Sequence, residues 1–200
     1  MAVKKRIATI MRKTLETRIR ITLRIGGRGR SSISTGIPFL DHMLTLLSKH
    51  SLMDLQIKAQ GDLDIDIHHT NEDTGIVLGQ VFAKALGDKK GIRRYGFFSA
   101  PMDEVLATVA LDISGRPALH IRRAKGVKFS RLENYSFHDA TEFLRAFCQH
   151  AGITLHVEIL SGHDSHHIIE GVFKALAKAL DLATQIDPRV RSIPSTKGAL

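Results

Sequence analysis

Tryptophan is absent from this 200-residue chain, cysteine occurs once, at Cys148, and there are only two tyrosines and five prolines. A single cysteine excludes an intrachain disulfide framework and fits a reducing, cytoplasmic setting, which is the expected location. Long apolar runs are also missing. None approaches the ~20 residues needed to span a bilayer, so no membrane association is expected. The amino-terminal stretch MAVKKRIATIMRKTLETRIR is basic but has neither an uninterrupted apolar segment nor a small-residue cleavage site, so no secretory signal is expected. Acidic residues are the scarcer charge, 20 against 29 Lys and Arg, leaving a formal charge of +9 and a pI near 9.9. That balance would suit nucleic acid. Yet the cations are spread along the chain and the aromatic rings that stack on bases are few, so no nucleic-acid partner is expected. A phosphorylated small molecule needs only a few of these cations.

What the chain has in quantity is histidine, eleven in all, with His68, His69, His163, His166 and His167 crowded into two places. His68-His69-Thr70-Asn71-Glu72 and His166-His167-Ile168-Ile169-Glu170 both read HHxxE, each at a strand-to-helix junction. On a helix, residues i and i+4 share a face while neighbours point about 100° apart, so Glu72 can join His68, and Glu170 can join His166. Adjacent histidines must then diverge. Two split ligand pairs, and more than one metal ion, are expected. Capped helix starts would account for a single HHxxE; its repetition weighs against that explanation.

Along the chain, residues 18–25 alternate as a half-buried strand with a basic outer face, preceded by Glu16. Gly26 to Arg30 make a turn from which Ser31 to Gly36 can return as a second strand. Pro38 opens a helix with an apolar stripe, carrying Asp41 and His42 in its first turn. Residues 53–59 and 62–68 read as two antiparallel strands, with Asp62, Asp64 and Asp66 on a solvated face. Thr70 and Asp73 read as a capping box for a helix over about 71–86 that Gly87 ends. Lys89 to Met102 reads as a linking segment, Val105 to Ile113 as a long strand, and Leu119 to Ile121 as a returning one. Residues 122–135 read as a loop or edge, 141–151 as helix, 153–160 as strand and 166–183 as a long helix.

The second half retells the first. At an offset of 100, Glu142 falls under His42, and past a two-residue deletion His166, His167 and Glu170 fall under His68, His69 and Glu72. The expected fold is α+β: two tandem ββαββα-like units related by a pseudo-twofold axis. Their limits are 1–96 and 97–187, followed by a tail at 188–200, all forming one catalytic domain. A ligand in one half predicts a ligand at its counterpart. The metal set becomes His42, His68, His69 and Glu72 with Glu142, His166, His167 and Glu170.

FLDHML at 39–44, HHTNED at 68–73, RRYG at 93–96, PMDEVLATVALDISGRP, DSHHIIEGVFKALAKAL and the terminal IPSTKGAL together resemble the imidazoleglycerol-phosphate dehydratase family. The resemblance runs from about Arg12 to Leu200. It implies a manganese-dependent lyase of histidine biosynthesis that dehydrates D-erythro-imidazole glycerol phosphate to imidazole acetol phosphate. Two manganese ions per active site are implied, and so is a homo-oligomer, an octahedral assembly of trimers with sites shared between subunits. The eight His and Glu residues match the family's ligands, Glu142 at a position where many members have His. Arg94, Arg116, Ser195 and Lys197 match residues that bind the substrate phosphate, and Glu16 matches an acid that reaches the substrate.

The proton to be removed lies beside an imidazole rather than a carbonyl, so an electron sink is needed, which bound metal ions acting as Lewis acids would supply. Glu72 or Glu170 is expected to transfer the proton, with Glu16 helping the hydroxyl leave. By ligand chemistry alone zinc suits the set at least as well as manganese. The alternative is a His/Glu di-metal hydrolase acting on a phosphorylated small molecule.

Overall fold

The computed structural model describes residues 6–200, so residues 1–5 of the basic amino-terminal stretch lie outside the described residues. The first half runs β1 (Ile7–Lys13), β2 (Thr17–Arg24), β3 (Ser31–Ser34), α1 (Pro38–Ser51), β4 (Asp54–Gly61) and α2 (His68–Leu86). The second runs β5 (Tyr95–Met102), β6 (Val105–Asp112), β7 (Ala118–Arg123), α3 (Phe137–Ala151), β8 (Thr154–Ser161) and α4 (Ser165–Thr184). The class is α+β and duplicated, as expected, but the repeated unit is βββαβα rather than ββαββα.

Both sheets have one topology, β1-β2-β4-β3 and β5-β6-β8-β7. In each, the fourth strand runs parallel to its neighbour and the other pairings are antiparallel. Alternation decides which face is buried: Ile19, Ile21 and Leu23 of β2 are at most 2% exposed, while Arg18, Arg20 and Arg24 point outward. The helices of each half cover the inner face of their own sheet and meet those of the other half, α1 against α4 and α2 against α3. Exchanging the halves exchanges these two pairs, which is the relation a pseudo-twofold axis imposes. The buried rings Phe82 and Phe147 pack across the seam at a centroid distance of 5.9 Å, and Phe143 and Phe173 pack between α3 and α4 within the second half at 5.7 Å.

Helices α2 and α3 lie side by side in the same direction, Asn71 beside Asp139, Gly75 beside Phe143 and Gly79 beside Phe147. A Cβ on Gly75 or Gly79 would stand 2.7 or 2.6 Å from a backbone oxygen of α3, so only glycine allows so close an approach. The two helix starts are thereby brought together, which bears on the site.

Several local readings change. β1 was not anticipated; its alternation is blurred because, at the sheet edge, Ile7 and Met11 stay exposed. β3 does not return along β2 but crosses to lie parallel to β4, and β7 likewise lies beside β8. The segment 62–68 is not a strand: Ile65 N–H bonds Asp62 O in a turn, the expected partner β4 is already flanked by β2 and β3, and Ile65 is 70% exposed. Thr70 and Asp73 do not form a capping box. The helix already begins at His68, whose N–H is taken by Asp66, while Asp73 accepts from Arg12 and Thr17. The linking segment contains β5, whose exposed Tyr95, Phe97 and Phe98 obscured the strand pattern. Helix α3 begins at Phe137, four residues before the expected start, because Ser136 and Asp139 form a reciprocal cap.

Candidate metal and substrate site

The starts of α1 and α4 converge at one point. His42 Nε2 lies 3.4 Å from Glu170 Oε2, and His166 Nε2 lies 3.3 Å from the same oxygen. This trio is the one group of three or more metal-competent side chains gathered within 4.8 Å among the described residues. Ligand atoms bound at ~2.2 Å and at right angles would stand about 3 Å apart, close to the two contacts on Glu170, so the trio is of a size to hold an ion. Imidazole and carboxylate donors suit a divalent transition metal. Glu170 is 7% exposed and its other oxygen, Oε1, takes Lys174 Nζ at 2.6 Å. Burial works to raise the carboxyl pKa, but Lys174 and His42 together bring it below the ordinary value, so Glu170 is ionised. Phe39 sets its ring edge-on against His166 at 5.1 Å.

The first half assembles less within one chain. His68 Nε2 faces Glu72 Oε2 at 3.7 Å, both side chains 46% exposed. Glu142, the partner expected from duplication, is on α3 and pairs with Arg145 at 3.4 Å.

The second histidine of each motif turns away from the first, as the helix geometry requires; the ring planes differ by 63° for His68 and His69 and by 80° for His166 and His167. His69 Nδ1 meets Asp62 Oδ2 at 2.9 Å, with Glu16 Oε2 at 3.9 Å. His167 Nδ1 meets Glu104 Oε2 at 2.9 Å, and its Nε2 lies 3.7 Å from Asp103. These carboxylates raise the pKa of both rings. In return, the His167 hydrogen bond, with backbone N–H groups, holds Glu104 down to about 2.

Sequence reasoning missed Asp103, Glu104 and Lys174, and placed Asp62 on a solvated face. A signal existed for Glu104: it directly precedes β6 as Glu16 directly precedes β2. It lies 88 positions after Glu16, however, so an offset of 100 conceals the match.

The predicted phosphate residues gather elsewhere. Arg94 grips Asp112 with Nε and Nη2 at 2.6 and 2.9 Å and donates Nη1 to the carbonyl of Pro194 at 2.8 Å. Arg116 reaches within 4.0 Å of the same carboxylate and is 68% exposed at its side chain. The tail is thereby tethered. Ser195 Oγ accepts the N–H of Lys197, and Leu200 lies against Gly115. Asp112 ends β6, whereas Glu104 immediately precedes it, and eight residues of strand at ~3.3 Å each separate the two by roughly 25 Å. One chain therefore does not bring its basic cluster and its histidine cluster together.

The imidazoleglycerol-phosphate dehydratase family model matches residues 35–180. The imidazoleglycerol-phosphate dehydratase of Thermoanaerobacter pseudethanolicus is 55% identical over 195 residues, covering 98% of this chain and all of that protein. That of Acinetobacter baumannii is 50% identical over 199 residues, covering 98% and 96%. Among solved structures, the Staphylococcus aureus enzyme superposes with a TM-score of 0.80 at 38% identity, over 90% of this chain and 99% of that one. The Pyrococcus furiosus enzyme in complex with (S)-C348 gives 0.82 at 34% identity, over 96% and 100%.

Proposed function

Because the chain belongs to the imidazoleglycerol-phosphate dehydratase family and is a hydro-lyase of histidine biosynthesis, we propose that it converts D-erythro-imidazole glycerol phosphate into imidazole acetol phosphate using two manganese ions per active site. The observation that carries metal dependence is the meeting of His42, from one half, with His166 and Glu170 from the other. His68, His69, Glu72, Glu142 and His167 complete the ligand set. When bound, the ions supply Lewis acidity to the substrate.

The chain's own groups do the rest. Glu170, ionised and buried beside the histidine rings, is the group we assign to transfer the proton, and Glu72 is its counterpart. Glu16, half exposed beside His69, assists departure of the hydroxyl as water. Arg94, Arg116, Ser195 and Lys197 hold the phosphate, Arg94 pre-set by Asp112 so that little side-chain freedom is lost on binding. The separation of roughly 25 Å between the two clusters supports sites shared between copies, hence a homo-oligomer, which we take to be an octahedral assembly of trimers. We read the chain as one cytoplasmic catalytic domain built of two units with a phosphate-binding tail, 188–200; the expected boundary at 96/97 would cut β5, so the second unit begins with that strand. No helix among the described residues is long and apolar enough to cross a membrane. The hydrolase alternative is not favoured, since the relatives above are dehydratases.

Chelation is expected to abolish formation of imidazole acetol phosphate, and Mn²⁺ to restore it, at about two ions per chain. Release of inorganic phosphate, or full turnover in metal-free protein, would reject this reading.

Metal uptake should also depend on pH. His69 and His167 bind a proton more firmly than free imidazole, and a ring must be neutral to ligate. Mn²⁺ affinity is expected to be at least ~10-fold weaker at pH 6 than at pH 8, with protons released on binding, by calorimetry in buffers of different ionisation heat. In metal-free protein the same two bonds stabilise the fold fully below the ordinary histidine pKa of 6.5, and this contribution is lost as pH rises through the raised values.

A further inference from the structure

We propose that Asp62 and Glu104 are positioning residues, each presenting one histidine's Nε2 to a metal ion, and that Asp62 thereby frees Glu16 for the substrate. The inference rests on His69 and His167 being ligands. A neutral imidazole carries one N–H. A carboxylate that accepts it at Nδ1 selects the tautomer whose lone pair is at Nε2 and fixes the plane of the ring. Both histidines are held this way at 2.9 Å, but by residues that are not counterparts.

Glu16 and Glu104 occupy the same place, directly before β2 and β6. In the second half Glu104 is fully engaged. Oε2 takes His167 Nδ1, and Oε1 accepts the N–H groups of Asp164 and His163 at 3.0 and 3.4 Å. Nothing is left of it for a substrate. In the first half Asp62, in the turn after β4, takes that task, and Glu16 stands back at 3.9 Å with its side chain 55% exposed. The residue that follows β8 as Asp62 follows β4 is Gly162, which has no side chain, so no such relief is available to Glu104. The other oxygen of Asp62, Oδ1, is buried without a hydrogen-bond partner among the described residues.

Asp62→Asn, Glu104→Gln and Glu16→Gln should therefore separate. The first two are expected to weaken Mn²⁺ binding about 10–100-fold at the site containing His69 or His167. They should also shift the visible d–d bands of the Co²⁺-loaded protein, while the melting of metal-free Asp62→Asn stays in place at a pH above the raised histidine pKa, where the bond's contribution to stability is already lost. Glu16→Gln is expected to keep Mn²⁺ affinity within ~2-fold and to lose turnover, by about 10²-fold. If Glu104→Gln fails to fold, since Glu104 also ties the turn before α4, Asp62→Asn decides. Wild-type Mn²⁺ affinity and Co²⁺ spectra in Asp62→Asn overturn the positioning role. Equal loss of affinity in Glu16→Gln overturns the division of labour. A wild-type protein that takes up no Mn²⁺ overturns instead the metal reading beneath both.

Discussion

Glu170→Gln is expected to lower turnover of the Mn²⁺-loaded protein by about 10²–10⁴-fold, the range that a positioned acid or base contributes. An amide matches the carboxylate in shape but cannot take a proton, and it presents Lys174 Nζ with a neutral partner in place of a charged one at 2.6 Å. It also withdraws the anionic donor on which His42 and His166 converge. Melting should also fall at neutral pH, because the depressed pKa of Glu170 means that its charge stabilises the fold and Gln loses it. Steady-state rates at saturating Mn²⁺ decide the matter: turnover within tenfold of wild type would remove Glu170 from the chemistry. Glu170→Asp, which keeps the charge but draws it back by one methylene, should lie between the two.

Gly96→Ala is expected to destabilise the fold by about 3 kcal/mol, the upper end for overpacking, and to lower the melting temperature by roughly 10 °C. An added Cβ there would press into the carbonyl oxygen of Ala179, with that residue's Cα 3.1 Å away. Both obstacles are backbone and neither can rotate aside, so β5 and α4 would have to separate. Because α4 also carries His166 and Glu170, metal affinity should fall alongside stability. Gly87 gives the comparison: nothing lies within 4 Å of its added Cβ, and only its φ of +69° opposes a side chain. With ψ at −132° this is not the left-handed helical region but one that side chains avoid, so Gly87→Ala should lose about 1–2 kcal/mol. Similar thermal shifts in the two variants would show that the close approach at Gly96 is not what requires glycine.

Gly96 illustrates how far the chain could be read. RRYG stood out as a motif, but nothing in its spelling indicates a helix backbone lying over it, since the contact is with a residue 83 positions away. The HHxxE pairs were more legible. Their i, i+4 spacing alone required His166 to join Glu170 and His167 to point elsewhere, and both are found. His42 was recruited by duplication and does meet Glu170. Glu142, recruited by the same logic, turns to Arg145 within one chain.

The misread segments share one cause. Leu63, Ile65 and Ile67 alternate like a strand, but alternation states only which side a residue would face if a neighbouring strand were present to pair with it. Here β4 is already flanked by β2 and β3. The same lack of partner information hid the parallel placement of β3 and β7, whose hydrogen-bonding neighbours come more than twenty residues later. It also hid Glu104, which reaches His167 only because a hairpin and a helix start meet in space.

By itself, then, the sequence determined the duplication, the buried faces and the histidine and glutamate pairs within each helix, because these depend on periodicities of two and 3.6 residues that neighbours in the chain enforce on one another. Which strand lies beside which, which carboxylate holds each outer histidine, and how far the basic cluster lies from the metal cluster were decided by tertiary structure. Those contacts join residues distant in the chain, and their energies depend on what the rest of the fold has already paired.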